Sequence, residues 1–297
     1  MLPISNPLLL STGPVLTSLQ LQKHKKLINR VLYYFPYIVI GYFLFKVVAS
    51  PLTNTFFISK QTDMMSTLVW GIIFEIFVYA NFAGLSLVIY GVFGVFGVKI
   101  PLNFKQPFTS TNIVEYWKGW HISLSKTLKE LFYNPARKIL PTSMSIFIVY
   151  TASAMWHGVT PNFLLWGLFH AAVFIISIKV LRKRIKYIPT LLMFFGYIIG
   201  RVIFSEIDPY ILMEKLSFQF TDLSVFNQIA EQGKLTLISL MLGLGLVVVE
   251  LLFRGHKLVS KRNYKFLRTP IMTLLLMIFI ILLNEKTGAD FAVYGQR

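Results

Sequence analysis

Seven apolar runs limit what this chain can fold into. They lie at 31–49, 68–98, 142–157, 163–178, 188–204, 235–253 and 270–283. Several are long enough, as helices, to cross a hydrocarbon layer about 30 Å thick. A water-soluble domain of 297 residues has no use for so many of them. With 55% of residues hydrophobic and only 14% charged, the expected fold is all-α: a polytopic helical membrane protein of about six to seven spans. No internal repeat and no linker is visible, so residues 1–297 read as one integral membrane domain.

The charge pattern agrees. A net charge of +17 on a soluble protein would suggest nucleic acid, but here the segments 20–30, 99–140, 179–186 and 254–268 hold 22 of the 29 Lys and Arg. The segments between them, 50–66, 158–162, 205–234 and the tail, hold few. That alternation follows the positive-inside bias if every run crosses once, with the basic segments in the cytoplasm. The charge is read as topology, and no nucleic-acid partner is expected. The absence of cysteine excludes disulfides, thiolate metal sites and a cysteine acyl-enzyme. Met1–Ser18 lacks a basic n-region and is broken by Pro3, Pro7 and Pro14, so it reads as a loop or re-entrant piece and not a secretory signal.

Some runs carry irregularities. Pro36 predicts a kink or local opening in the first span. The run 68–98 carries Glu75, Asn81 and five glycines and exceeds one perpendicular span, so it is tilted, broken or two pieces. Between the second and third runs, Ile113, Trp117, Trp120, Leu124, Leu128 and Leu131 step by three and four. This predicts one amphipathic or re-entrant helix near 112–133, ended by Asn134-Pro135. Glu115, Lys118, Ser125, Lys126 and Lys129 fall off the stripe, and His121 on its border. Such a helix lies in the interface or packs into the protein at membrane depth.

Three of the five histidines, His121, His157 and His170, have apolar or aromatic neighbours, whereas His24 and His256 sit in basic, polar runs. An ionisable side chain in lipid-facing sequence is by default a functional-site hypothesis. His157, between Trp156 and Gly158 at a span end, reads either as a neutral base or as a histidine bonding a neighbouring helix carbonyl. His170, beside Trp166 and Phe169, reads as a structural member of an aromatic face. Glu75 fits pairing with a basic group, substrate binding or helix-to-helix bonding. The histidine spacings do not make a metal site, and neither a serine nucleophile elbow nor a phosphate loop is present.

Several stretches together resemble a known family. They are Gly13-Pro14, Tyr79-Ala-Asn-Phe-Ala-Gly84, Val98-Lys-Ile-Pro-Leu-Asn-Phe-Lys-Gln-Pro-Phe108, Glu115-Tyr-Trp-Lys-Gly-Trp-His-Ile-Ser-Leu-Ser125, Met155-Trp-His-Gly158, Phe163-Leu-Leu-Trp-Gly-Leu-Phe-His170 and the tail Phe291-Ala-Val-Tyr-Gly-Gln296. The chain resembles the membrane-bound O-acyltransferases, in particular the bacterial branch of alginate O-acetyltransferases and teichoic-acid D-alanylation proteins. The resemblance implies a ring of helices around a thinned centre, where a cytoplasmic donor tunnel meets an outer acceptor funnel. It makes His157 the catalytic histidine and puts His121 in the place of the second active-site polar residue. Trp120, Ser123, Ser125, Trp156, Asn81, Glu75 and His170 become the expected substrate-binding side chains.

The expected activity is transfer of an acyl group, acetyl first of all, to a hydroxyl of an extracytoplasmic polysaccharide or cell-wall glycan. No cofactor is expected to be bound. The donor is acetyl-CoA or another acyl thioester, and the setting is a bacterial cytoplasmic membrane. Expected partners are the lipid bilayer and either a periplasmic or extracellular transfer protein or an acyl carrier protein. The rival readings are D-alanyl transfer to teichoic acid and a degenerate, non-catalytic scaffold. Three departures from the family pattern stand out: Leu87 in place of Asp, Ile203-Phe-Ser-Glu206 in place of Phe-Phe-Arg-Ala, and Lys118-Gly119 in place of two arginines. Relatives also carry helices ahead of the Gly-Pro segment, so the resemblance implies an N-terminally shortened member.

Overall fold

A computed structural model of the chain describes residues 20–21, 26–183, 187–219, 223–252 and 270–282. The Gly13-Pro14 segment, the N-terminal loop reading, His24, His256 and the 291–296 tail lie outside them. Within them the regular structure is helical apart from one short antiparallel pairing, β1 (Gln20–Leu21) with β2 (Val98–Lys99).

Helix α1 (Leu27–Phe43) runs on through Pro36 and opens only afterwards, into π winding at Leu44–Ala49 and then a 3-10 helix at Ser50–Lys60. The opening expected at Pro36 therefore falls a turn or more downstream. The polar segment expected after residue 50 is helical to Lys60, because its hydroxyls bond back along the helix: Thr53, Thr55 and Ser59 each donate to a carbonyl three residues earlier.

Helix α2 (Met64–Val95) is the central pillar, and it is one unbroken helix of 32 residues. Of the alternatives for run 68–98, two separate pieces is excluded. Asp63 caps it by accepting the Ser66 N–H at 2.9 Å. At about 1.5 Å per residue it is longer than the bilayer core is thick. Residues from Ser66 to Gly94 are buried on all sides of α2, as expected of a helix surrounded by protein. Its glycines hold their place by packing. A Cβ on Gly84 would lie 2.7 Å from the Gly41 carbonyl oxygen, and one on Gly41 would lie 2.5 Å from that of Gly84. The backbones of α1 and α2 thus touch directly, as small residues allow between membrane helices.

The amphipathic stretch is not one helix. It folds as α3 (Ile113–Gly119), α4 (Ile122–Leu128), a π-wound segment Lys129–Tyr133 and a last turn Asn134–Ala136. The break falls at Trp120-His121, and the helical path runs past Asn134-Pro135 where an end was expected. The stripe nevertheless faces inward: Ile113, Trp120, Leu124 and Leu128 are buried, and only Leu131 is exposed.

Helices α5 (Thr142–His157), α6 (Pro161–Arg182) and α7 (Ile188–Ser205) pack in order, and α7 returns against α2. α3 is held between α6 and α7. The segment after α7 forms α8 (Pro209–Leu216) and α9 (Ser224–Ala230), ahead of α10 (Lys234–Leu252) and α11 (Pro270–Leu282). Five helical stretches among the described residues are long and apolar enough to cross a membrane: Leu27–Lys60, α2, α6, α7 and α10. The two other expected runs are present as α5 and α11, which are shorter.

Candidate active site

Where α3, α4, α5, α6 and α7 meet α2, they line a cavity of about 610 Å³. Its wall is mainly apolar and aromatic, with Val78 and Phe82 from α2, Trp117 and Trp120, Leu124 and Leu128, Ile146 and Tyr150, Trp166 and Phe204. The polar groups set into it are few: His121, Ser125, Ser153, His157 and Arg201, with Lys118, Lys126 and Lys129 from the α3–α4 side. A mostly apolar hollow with a few convergent polar groups is the ordinary form of a small-molecule site.

His157 reaches this cavity from the last residue of α5. Its ring packs against Phe204, Trp166 and Phe163, with centroids at 5.0, 5.6 and 6.1 Å. His121 reaches it because the α3–α4 helix breaks just there. The backbone of His121 is left-handed, with φ 42° and ψ 57°, which is uncommon for a residue bearing a Cβ. Such a conformation costs about 1–3 kcal/mol and persists only where its surroundings impose it.

The imposing group is Asn103, which is buried. Its carbonyl accepts the Ile122 N–H at 2.9 Å, and its Oδ1 accepts both the N–H and the hydroxyl of Ser123, at 3.1 and 2.8 Å. Two residues further along, the Lys105 N–H donates to the Gly119 carbonyl at 2.9 Å. Gly119 is required there, since a Cβ would sit 2.7 Å from the Lys105 carbonyl oxygen. The loop 103–105 therefore grips the chain on both sides of His121.

Burial pushes the His121 pKa down from 6.5 to about 4, so the imidazole is neutral at pH 7 and can accept as well as donate. Because the folded value lies below the unfolded one, keeping it neutral costs stability as pH falls below about 6.5, and the loss levels off below about 4. Asn103→Ala should cost about 1–3 kcal/mol, because it leaves the Ser123 donors buried and unmatched. Thermal unfolding in detergent measures the loss. In histidine-labelled NMR the His121 pKa should move back up as the grip loosens. An unchanged melting point and titration would show that the loop does not hold His121.

The other expected residues divide into two groups. Trp120 and Ser125 line the cavity, and the Ser125 hydroxyl also donates to the Trp120 carbonyl at 3.3 Å. Ser123, Asn81, Glu75, Trp156 and His170 are not on its wall. Ser123 is turned into the loop by Asn103, and Trp156 is 44% exposed. His170 is buried one layer behind, edge-on to Trp117 and Trp166 at 5.2 and 4.9 Å.

Glu75 is also behind the wall, and of its alternatives the structure has the ion pair. Its Oε2 accepts from the Nε of Arg201, and its Oε1 accepts the Tyr116 hydroxyl at 2.5 Å. Arg201 lies across the Trp120 ring, with its guanidinium carbon 4.7 Å from the centroid. Sequence reading singled out none of Arg201, Tyr116 and Asn103. For Arg201 the signal was available: one arginine inside run 188–204 and one glutamate inside run 68–98 each need a partner. Asn103 stood only within the stretch Val98–Phe108, with nothing to mark its role, which is to bond backbone that a continuous helix would have bonded itself.

Among the described residues no group of three or more metal-ligating side chains comes together. Three nitrogens of cavity-lining residues, Trp117 Nε1, Trp166 Nε1 and His121 Nδ1, are buried with no hydrogen-bond partner among the described residues.

Comparison with known proteins gives a family to this geometry. The chain is 28% identical over 166 residues to a teichoic acid D-alanyltransferase of Bacillus subtilis, covering 50% of this chain and 42% of the relative. It is 29% identical over 176 residues to a peptidoglycan O-acetyltransferase of Helicobacter pylori, covering 54% and 33%. It is 30% identical over 168 residues to a probable alginate O-acetylase of Pseudomonas syringae, covering 52% and 32%. Each match spans less than half the relative's length. Residues 14–219 match the MBOAT profile, and they contain α1 to α7, both cavity histidines and Arg201. The chain belongs to the membrane-bound O-acyltransferase (MBOAT) family.

Proposed function

We propose that this chain moves an acyl group, acetyl in the first instance, from a cytoplasmic thioester to a hydroxyl of an extracytoplasmic polysaccharide or cell-wall glycan. The supporting observation is that His121 and His157, on separate elements, converge on one mainly apolar cavity. The glycan hydroxyl attacks the thioester carbonyl and a new C–O bond forms. His157 takes the hydroxyl proton as it does so, the general-base role of a neutral imidazole. The tetrahedral intermediate then breaks its C–S bond, and the imidazolium returns the proton to the departing thiolate. His121 orients the donor or stabilises the developing oxyanion. Direct transfer suits a chain without cysteine.

The donor is acetyl-CoA or another acyl thioester. It approaches from the side of Lys118, Lys126 and Lys129, the basic segment that charge bias puts in the cytoplasm. The protein is a multi-pass protein of a bacterial cytoplasmic membrane, and a periplasmic or extracellular protein completes delivery. D-alanyl transfer from a carrier protein is the second reading, favoured by the match to a teichoic acid D-alanyltransferase.

The test is mass spectrometry of surface glycan esters from cells with and without the gene, fed isotope-labelled acetate or labelled D-alanine. Labelled acetyl ester that depends on the gene supports acetyl transfer. Labelled D-alanyl ester selects the second reading. Identical ester profiles with and without the gene would sink both.

A further inference from the structure

Arg201 is costly where it stands. It lies within the apolar span α7 and is 6% exposed, yet it lines the same cavity as His121 and His157. A buried ion pair seldom adds net stability compared with apolar side chains of the same size. Helix-to-helix bonding alone is therefore a weak reason for its presence.

Its setting is more specific than that. Glu75 from α2 receives Arg201 on one carboxylate oxygen and the Tyr116 hydroxyl of α3 on the other. The carboxylate is thus fixed by two elements, and it fixes the guanidinium in turn. Trp120, the residue next to His121, supplies a ring face at 4.7 Å. Phe204 lies 6.0 Å away and also carries the His157 ring at 5.0 Å. The guanidinium is therefore set between the supports of both histidines.

An arginine fixed by a carboxylate behind it presents its charge from one position. It can meet negative charge that appears only during a reaction, and a fixed donor in a low-dielectric site does so without reorganising. We propose that Arg201 binds the carbonyl oxygen of the thioester as it becomes an oxyanion, with Glu75 and Tyr116 as its positioning residues. This rests on the acyl-transfer reading and gives the oxyanion a partner other than His121. As the C–O bond forms, the carbonyl π pair moves onto the oxygen facing Arg201. It returns when the C–S bond breaks, so the arginine neither gains nor loses a proton.

The test replaces the whole network, so that no buried group is left unmatched: Glu75→Met, Tyr116→Phe and Arg201→Met together. The triple variant is compared with wild type for acyl transfer at matched membrane abundance and melting temperature. A drop in kcat of about a hundredfold to a thousandfold, with KM within a few-fold, is expected. A triple variant within a few-fold of wild type in kcat overturns the proposal and leaves acyl transfer by His157 intact. A wild type with no transfer overturns both.

Should the triple variant fail to fold, Arg201→Lys is the second arm. It is assayed for binding a tetrahedral phosphonate analogue against an uncharged thioether analogue of the donor. Wild type should prefer the phosphonate, and the preference should shrink by about tenfold or more when the planar fork is replaced by an ammonium. An unchanged preference overturns the assignment.

Discussion

His157→Ala should lower O-acyl transfer by about 10²–10⁴-fold while leaving the protein in the membrane at normal abundance. The size is what a general base contributes when its proton transfer falls in the rate-limiting step. Folding should survive because His157 is the last residue of α5 and its ring packs among Phe163, Trp166 and Phe204, which still contact one another. The measurement is ester formed per mole of membrane protein across a pH series. In wild type the rate should rise with pH as the imidazole is deprotonated and then flatten. In His157→Ala that limb should vanish along with the rate. A variant that kept full transfer would remove His157 from the mechanism.

Glu75→Leu alone should destabilise the fold by about 3–5 kcal/mol, the cost of leaving a charge buried without its partner. Two groups lose their acceptor at once, the Arg201 guanidinium and the Tyr116 hydroxyl, and they sit on different elements, so α2 loses a polar link to α3 and one to α7, where the Trp70–Ser205 bond remains. Adding Arg201→Leu and Tyr116→Phe should recover most of the loss, since the orphaned groups are then gone. Thermal unfolding in detergent, with all variants in one buffer, gives the comparison. If Glu75→Leu alone melted with the wild type, the ion pair would carry no structural weight.

Much of this fold was legible in the sequence, because lipid imposes a coarse code. A run such as 163–178 must be a helix and must end near Lys179 and Arg182, and α6 ends at Arg182. The inward stripe from Ile113 to Leu128 was legible for the same reason. The break inside it was not. Periodicity records which side chains face inward, and a left-handed residue at 121 keeps the stripe facing inward while ending one helix and starting another. The force that makes the break comes from Asn103 and Lys105, on a loop whose sequence has no periodicity to read. His121 and His157 stood out because a histidine is unusual among apolar neighbours. Ser123 stood out with the same motif, yet its hydroxyl is bonded to the loop, a distinction that depends on a partner twenty residues earlier.

The contact of Gly41 with Gly84 has a consequence for the walls of the cavity. Two helices that touch through their backbones have no side-chain cushion to compress, so α1 and α2 behave as a single rigid post. Val78 and Phe82 belong to that post and form the stationary side of the chamber. The opposite side is built from shorter pieces: α4, the π-wound turn after it, and α5, which together carry His121, Tyr133, Ile146 and His157. Both histidines therefore stand on the shorter pieces and not on the post.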